Sequence, residues 1–169
     1  MKKSILTTAL LLVPYLAIAN SDLARSEIST GLSDINSNYN QSTVINQIGS
    51  GNSAYSNQQG INNHAVIVQQ GNGNQGRINQ SGSNNNALIA QRGTGNSADI
   101  TQLSSNNTAV IAQLGSGNND TIIQDSFGNS AYILSLGKNN ITQINQTGTN
   151  RSAGVVQNAS GMAIRVTQH

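Results

Sequence analysis

Residues 62–83 read NNHAVIVQQGN followed by GNQGRINQSGS, two eleven-residue units that agree column by column. Column two holds Asn63 and Asn74, column six Ile67 and Ile78, column eight Gln69 and Gln80, column ten Gly71 and Gly82. Cutting the chain every eleven residues from Asn40 carries this agreement to the last residue in twelve units, with no insertion. Column six is β-branched and apolar in eleven of the twelve, the exception being Ser56, and column eight is Gln in eleven, broken at Ser135. Asn fills column two in nine units; Gly fills column ten in eight of eleven, with Ser104, Ser126 and Ala159 elsewhere. A fixed period of this kind marks a repeat architecture.

The columns set the secondary structure. Side chains alternate along a strand, so columns four, six and eight share one face. That face carries Ala, Ile and Gln, as in Ala65-Val66-Ile67-Val68-Gln69. Columns nine to eleven and one to three carry Gly, Asn and Ser, the residues of turns. Each unit is therefore expected to be one strand of about five residues and one turn. A helix is excluded by Gly and Asn recurring every third turn. The expected inward ladder comprises Ile67, Ile78, Ile89, Ile100 and Ile111, with Gln69, Gln80, Gln91, Gln102 and Gln113, and Asn63, Asn74, Asn85 and Asn96.

A second period, of twenty-two residues, appears in the outward columns five and seven. Odd units carry Val66 and Val68, Leu88 and Ala90, Val110 and Ala112; even units carry Tyr55 and Asn57, Arg77 and Asn79, Asp99 and Thr101. Two strands thus make one coil, with one apolar and one mostly polar outer face. The expected fold is all-β: a two-sheeted β-solenoid of cross-β type, with coils at 40–61, 62–83, 84–105, 106–127, 128–149 and 150–169. Stacked at a strand spacing of about 4.8 Å, six coils make a body roughly 29 Å tall. Each Gln or Asn would sit above its equivalent and pair with it, which is what allows an amide into a dry interior. The solenoid ends would present unpaired backbone groups, and no proline follows Pro14 to block them.

Composition excludes most chemistry. Charged residues are 8% and aromatics 3% of the 169 residues, and there is no Cys, which rules out thiolate metal sites and disulfides. Six Asp and Glu and two His are a thin supply for a catalytic or metal site, so no catalytic residue, metal ligand, cofactor or small-molecule substrate is assigned. Met1-Lys2-Lys3 followed by the apolar run Ile5 to Ala19, ending Ala17-Ile18-Ala19, reads as a secretory signal peptide over 1–19. Removing Lys2 and Lys3 leaves six Lys and Arg against six Asp and Glu, so the overall basic balance is no nucleic-acid signature. Residues 20–39 form a leader of poor strand pattern.

The remaining signals are weaker. Gly71-x-Gly73-x-x-Gly76 matches a dinucleotide fingerprint only on paper, because it falls across repeat columns with no helix after it. A soluble binding solenoid of the ice-binding kind needs a regular outer array, and these outer columns are mixed. A β-helical lyase needs convergent carboxylates, and no two Asp share a column in adjacent coils. Asp120 sits in an inward column and, with Ser126 and Ser135, makes units eight and nine the poorest ladder, either as a brake on aggregation or through drift. Val66, Val68, Leu88, Ala90, Val110 and Ala112 form an outer apolar stripe expected to meet another filament or subunit. Arg151 and Arg165, near the C-terminus, are candidate partner contacts.

The pattern Asn63-x5-Gln69-x-Gly71-x-Gly73-Asn74-x5-Gln80 resembles the curlin repeat of bacterial curli fibres, over nearly all of the chain after residue 19. The stretches Asp22 to Glu27, Ala153 to Gln157 and Met162 to Gln168 are similar to the start and tail of the family's minor, nucleating subunits. The resemblance implies a secreted, surface-attached amyloid subunit of a Gram-negative bacterium that templates the major curlin and supports adhesion and biofilm matrix. It implies the major curlin and further copies of itself as partners, together with the curli export pore and a surface-anchoring factor. It also implies export targeting by 20–39 and anchoring by the last coil. The family's usual count is five coils, one fewer than the six found in this chain.

Overall fold

The computed structural model describes residues 40–169. Among these the chain forms twelve strands and no helix: β1 (Ser42–Ser50), β2 (Ser53–Ile61), β3 (His64–Asn72), β4 (Gln75–Ser83), β5 (Asn86–Thr94), β6 (Ser97–Gln102), β7 (Thr108–Ser116), β8 (Asn119–Gln124), β9 (Ser130–Lys138), β10 (Ile141–Gln146), β11 (Ser152–Gln157) and β12 (Ala163–Gln168). Odd strands make one six-stranded sheet in the order β1-β3-β5-β7-β9-β11; even strands make a second in the order β2-β4-β6-β8-β10-β12. Every pairing is parallel and in a register of twenty-two, for example Ile67 opposite Ile89 and Gln69 opposite Gln91. The fold is a two-sheeted β-solenoid of six coils.

Alternation places the core between the sheets. Ile67, Ile78, Ile89, Ile100, Ile111, Ile122, Ile133 and Ile144 are fully buried, with Ala65, Ala87 and Ala109 beside them. Stacked β-branched side chains pack well on a pleated surface, and a parallel sheet covered on one face by its partner gives them a dry environment. The outermost strands lack that cover among the described residues: Ile45 of β1 is 45% exposed and Val166 of β12 is only partly buried, whereas Val155 of β11 is still in the core.

Seven strands run well past the expected length of about five residues. β1 to β5, β7 and β9 run nine residues and continue through columns nine to eleven. The cause lies at column ten. Gly49, Gly60, Gly71, Gly82, Gly93, Gly115 and Gly137 take φ between 108° and 131°, a region essentially closed to other residues. A Cβ built on Gly71 would overlap the carbonyl oxygen of Gly93 in the next coil, so glycine also permits the close backbone approach. Where Ser104, Ser126 or Ala159 replaces it, the strand ends at column eight. Column one turns the chain. From Gly51 to Gly161 every residue there is Gly or Asn, at φ of 54° to 73°. Asn tolerates this left-handed turn because its short amide bonds locally.

Candidate assembly site: amide ladders, outer faces and coil ends

The column-eight glutamines past Gln47 each join three strands. Gln69 Nε2 donates at 2.7 Å to Gln91 Oε1 in the next coil and at 2.9 Å to the carbonyl of Ser53 in the opposite sheet. Gln80 repeats this with Gln102 Oε1 at 2.9 Å and the His64 carbonyl at 3.1 Å, and Gln102 with Gln124 Oε1 at 2.9 Å and the Asn86 carbonyl at 3.2 Å. Gln91 donates to Gln113 Oε1 at 2.8 Å. Both hydrogens of the amide and its oxygen are used, so a fully buried amide carries no unmet desolvation cost. In the even sheet the ladder runs unbroken from Gln58 to Gln168.

The column-two asparagines cap the strand entries. Asn63 Oδ1 accepts the Asn85 backbone N–H at 3.1 Å, and Asn74 Oδ1 accepts that of Asn96 at 3.1 Å. Their amide nitrogens donate at 3.0 Å to the carbonyls of Gly82 and Gly93, the column-ten positions where the backbone swings out of the regular ladder. Asn85 does the same to the Ser104 carbonyl at 2.6 Å, and Asn96 to that of Gly115 at 3.1 Å. Sequence reading placed these asparagines inside but gave no hint of this capping, which depends on the twist of the turn. The series ends in the last coil, where Arg151 and Met162 occupy column two and receive Asn129 and Asn140 oxygens through backbone N–H alone.

Val66, Leu88 and Val110 lie in register on the outer face of the odd sheet, as do Val68, Ala90 and Ala112. They are partly exposed, shielded by one another, and Leu114 beside them is 46% exposed. On the even sheet Arg77 lies 5.8 Å from the Tyr55 ring centroid and 4.0 Å from Asp99, two exposed-face contacts of small energetic weight. Arg151 and Arg165 are exposed in the last coil. Among the described residues no group of three or more His, Cys, Asp or Glu is placed to hold a metal ion. The expected signal peptide and leader, 1–39, lie outside the described residues.

The odd-sheet glutamine ladder breaks at Ser135, and its neighbours rewire. Gln113 Nε2, which would have reached a glutamine at 135, donates at 2.8 Å to Asp120 Oδ2. Gln157 Oε1, left without its donor from below, accepts Thr142 Oγ1 at 2.8 Å and Ser135 Oγ at 3.3 Å. Asp120, Ser135 and Thr142 are all buried.

Residues 71–103 and 93–125 match the family described as curlin associated repeat, the two matches overlapping and offset by one coil. The chain therefore carries curlin repeats across its central coils. That similarity suggests a curli fibre subunit. No curated protein matches the chain.

Proposed function

We propose that this chain is the minor, nucleating subunit of curli, held at the cell surface, whose solenoid templates polymerisation of the major curlin. One observation carries the reading: parallel strands in a register of twenty-two, with an even-sheet glutamine ladder uninterrupted from the first described coil to the last. A stack of this kind extends by strand addition at an edge, because each coil leaves the same row of backbone groups and amides that it has just satisfied in its neighbour. Residues 1–19 serve export through the inner membrane and 20–39 target the curli pore. The last coil, with Arg151 and Arg165 exposed and no asparagine in column two, provides the surface contact.

The outer stripe of the odd sheet serves lateral packing against a neighbouring filament or the major subunit. A seeding assay tests the nucleator role. Preassembled chain added at a few per cent to purified major curlin is expected to abolish the lag phase; an unchanged lag refutes the role. Deleting the gene while retaining the major subunit separates nucleator from fibre body: a nucleator's loss leaves the major subunit secreted but unpolymerised.

A further inference from the structure

We propose that the junction of coils 106–127 and 128–149 is a proton-dependent joint, closed by Asp120 as a neutral acid standing in for the glutamine that position 135 lacks. Counting donors in the buried cluster leads there. Gln113 supplies one N–H to Asp120 Oδ2. Thr142 Oγ1 donates to Gln157 Oε1 at 2.8 Å and Ser135 Oγ at 3.3 Å, and both hydroxyls also lie beside the Asp120 carboxyl. Asp120 Oδ1 is buried with no partner, while the oxygens of Ser135 and Thr142 beside it keep lone pairs to spare. So oriented, the hydroxyls leave Oδ1 without a hydrogen, and a proton on Oδ1 fills the gap as a donor to either hydroxyl oxygen.

Nothing charged compensates an ionised carboxyl here. Asp120 is in column four of β8, enclosed by β6, β7, β9 and β10. β7 and β10 contain no ionisable residue; Asp99 on β6 and Tyr132 on β9 are in outward column five, and Lys138 closes β9 in column eleven. Column four elsewhere is Ala in seven units, and Thr142 is its neighbour in the next coil, so this acid has no ladder of its own kind.

Burial raises the Asp120 pKa above the ordinary 3.8, outweighing the hydrogen bonds that lower it. The closed coil then holds its proton more tightly than the open chain does. The stabilisation from the neutral acid is complete below the unfolded value and is lost as pH rises through the folded-state value. Between the two, one proton is linked to closure, and the closing equilibrium falls up to tenfold per pH unit.

The test uses the full secreted chain in three forms: wild type, Asp120→Asn, and Asp120→Ala combined with Ser135→Gln, which restores the residues usual at both columns. Assembly lag and hydrogen-exchange protection of β8 and β9, corrected for intrinsic exchange, are followed from pH 4 to pH 8. Wild type is expected to lose protection there as pH rises, up to tenfold per unit, while β3 and β5 hold theirs. Both variants are expected to lack that slope, the double variant being protected throughout. Asp99, also raised by burial, is common to all three proteins and cancels in the comparison. A carboxyl-carbon resonance of Asp120 in assembled protein supplies a direct titration. The inference is overturned if the variants retain the wild-type slope, or if that resonance titrates at or below the ordinary carboxylate range.

Discussion

Gly93 and Gly95 are two residues apart, both at positive φ, yet their replacement should have very different consequences. Gly93 holds φ at 126°, and an added Cβ would overlap the Gly115 carbonyl oxygen of the next coil. Gly95 holds φ at 66°, and an added Cβ would meet nothing within 4 Å. Ala at position 93 has two routes. Keeping the backbone costs about 1–3 kcal/mol of strain, plus displacement of the Gly115 carbonyl. Leaving it follows Ser104 and Ser126, where the strand ends at column eight. β5 would then surrender its pairing beyond Gln91 with both β3 and β7, three or four ladder bonds at roughly 1 kcal/mol each. The second route costs about 3–4 kcal/mol, which bounds the loss from above. At position 95 alanine pays only the left-handed penalty, about 1 kcal/mol. Asn there should fall within about 0.5 kcal/mol of wild type, because Asn62, Asn84 and Asn106 already occupy that column at φ of 56° to 59°. The assay is the guanidinium midpoint for dissolving assembled protein, with hydrogen exchange in β5 and β7 as the local probe. Gly93→Ala should lower the midpoint sharply and open columns nine to eleven of β3, β5 and β7. Gly95→Asn should do neither. Equal losses for the two substitutions would refute the argument that column ten is set by coil-to-coil approach and column one only by the turn.

Other substitutions probe the ladder and the faces. Gln102→Leu leaves the Gln80 amide hydrogen, the Gln124 oxygen and the Asn86 carbonyl without their bonds to this side chain, at about 1–3 kcal/mol each, and should lower the same midpoint well beyond experimental error. Ile111→Ala, fully buried, should cost about 2–5 kcal/mol, read by thermal dissolution. Arg77→Ala removes only exposed contacts and should shift stability by less than about 0.5 kcal/mol in the same scan. Val66→Lys, Leu88→Lys and Val110→Lys together should narrow filament bundles in electron micrographs while elongation continues; unchanged bundles would remove the stripe from the lateral interface.

Much of the architecture was legible because a strict repeat turns a three-dimensional problem into a column table. Ile67 and Gln69 face inward for the same reason in every coil, and period two along a strand with period twenty-two along the chain leaves one arrangement of two sheets. The reach of each strand was not legible. Column ten reads as a turn from its glycines, but those glycines lie inside nine-residue strands. Only stacking reveals that they let one backbone approach the next, and that Ser104, Ser126 and Ala159 truncate β6, β8 and β11. Gly148 belongs to the same column yet does not take positive φ, so glycine permits the longer strand without imposing it.

The column of Asn63, Asn74, Asn85 and Asn96 could be placed by period, but its work as a cap on the following coil comes from where the turn aims the amide. Sequence reading grouped Asp120 with Ser126 and Ser135 as the poorest part of the ladder, passed over Thr142, and gave no sign of what these side chains touch. Inter-sheet packing brings Asp120, Ser135 and Thr142 onto Gln113 and Gln157, where each supplies or takes the bond another has given up. A periodic sequence by itself determines which residues share a face, since that needs only the local geometry of a strand. Which buried groups answer one another across the two sheets, and how close the coils come, was decided by tertiary structure alone, because hydrogen bonds and excluded volume act at distances that no column records.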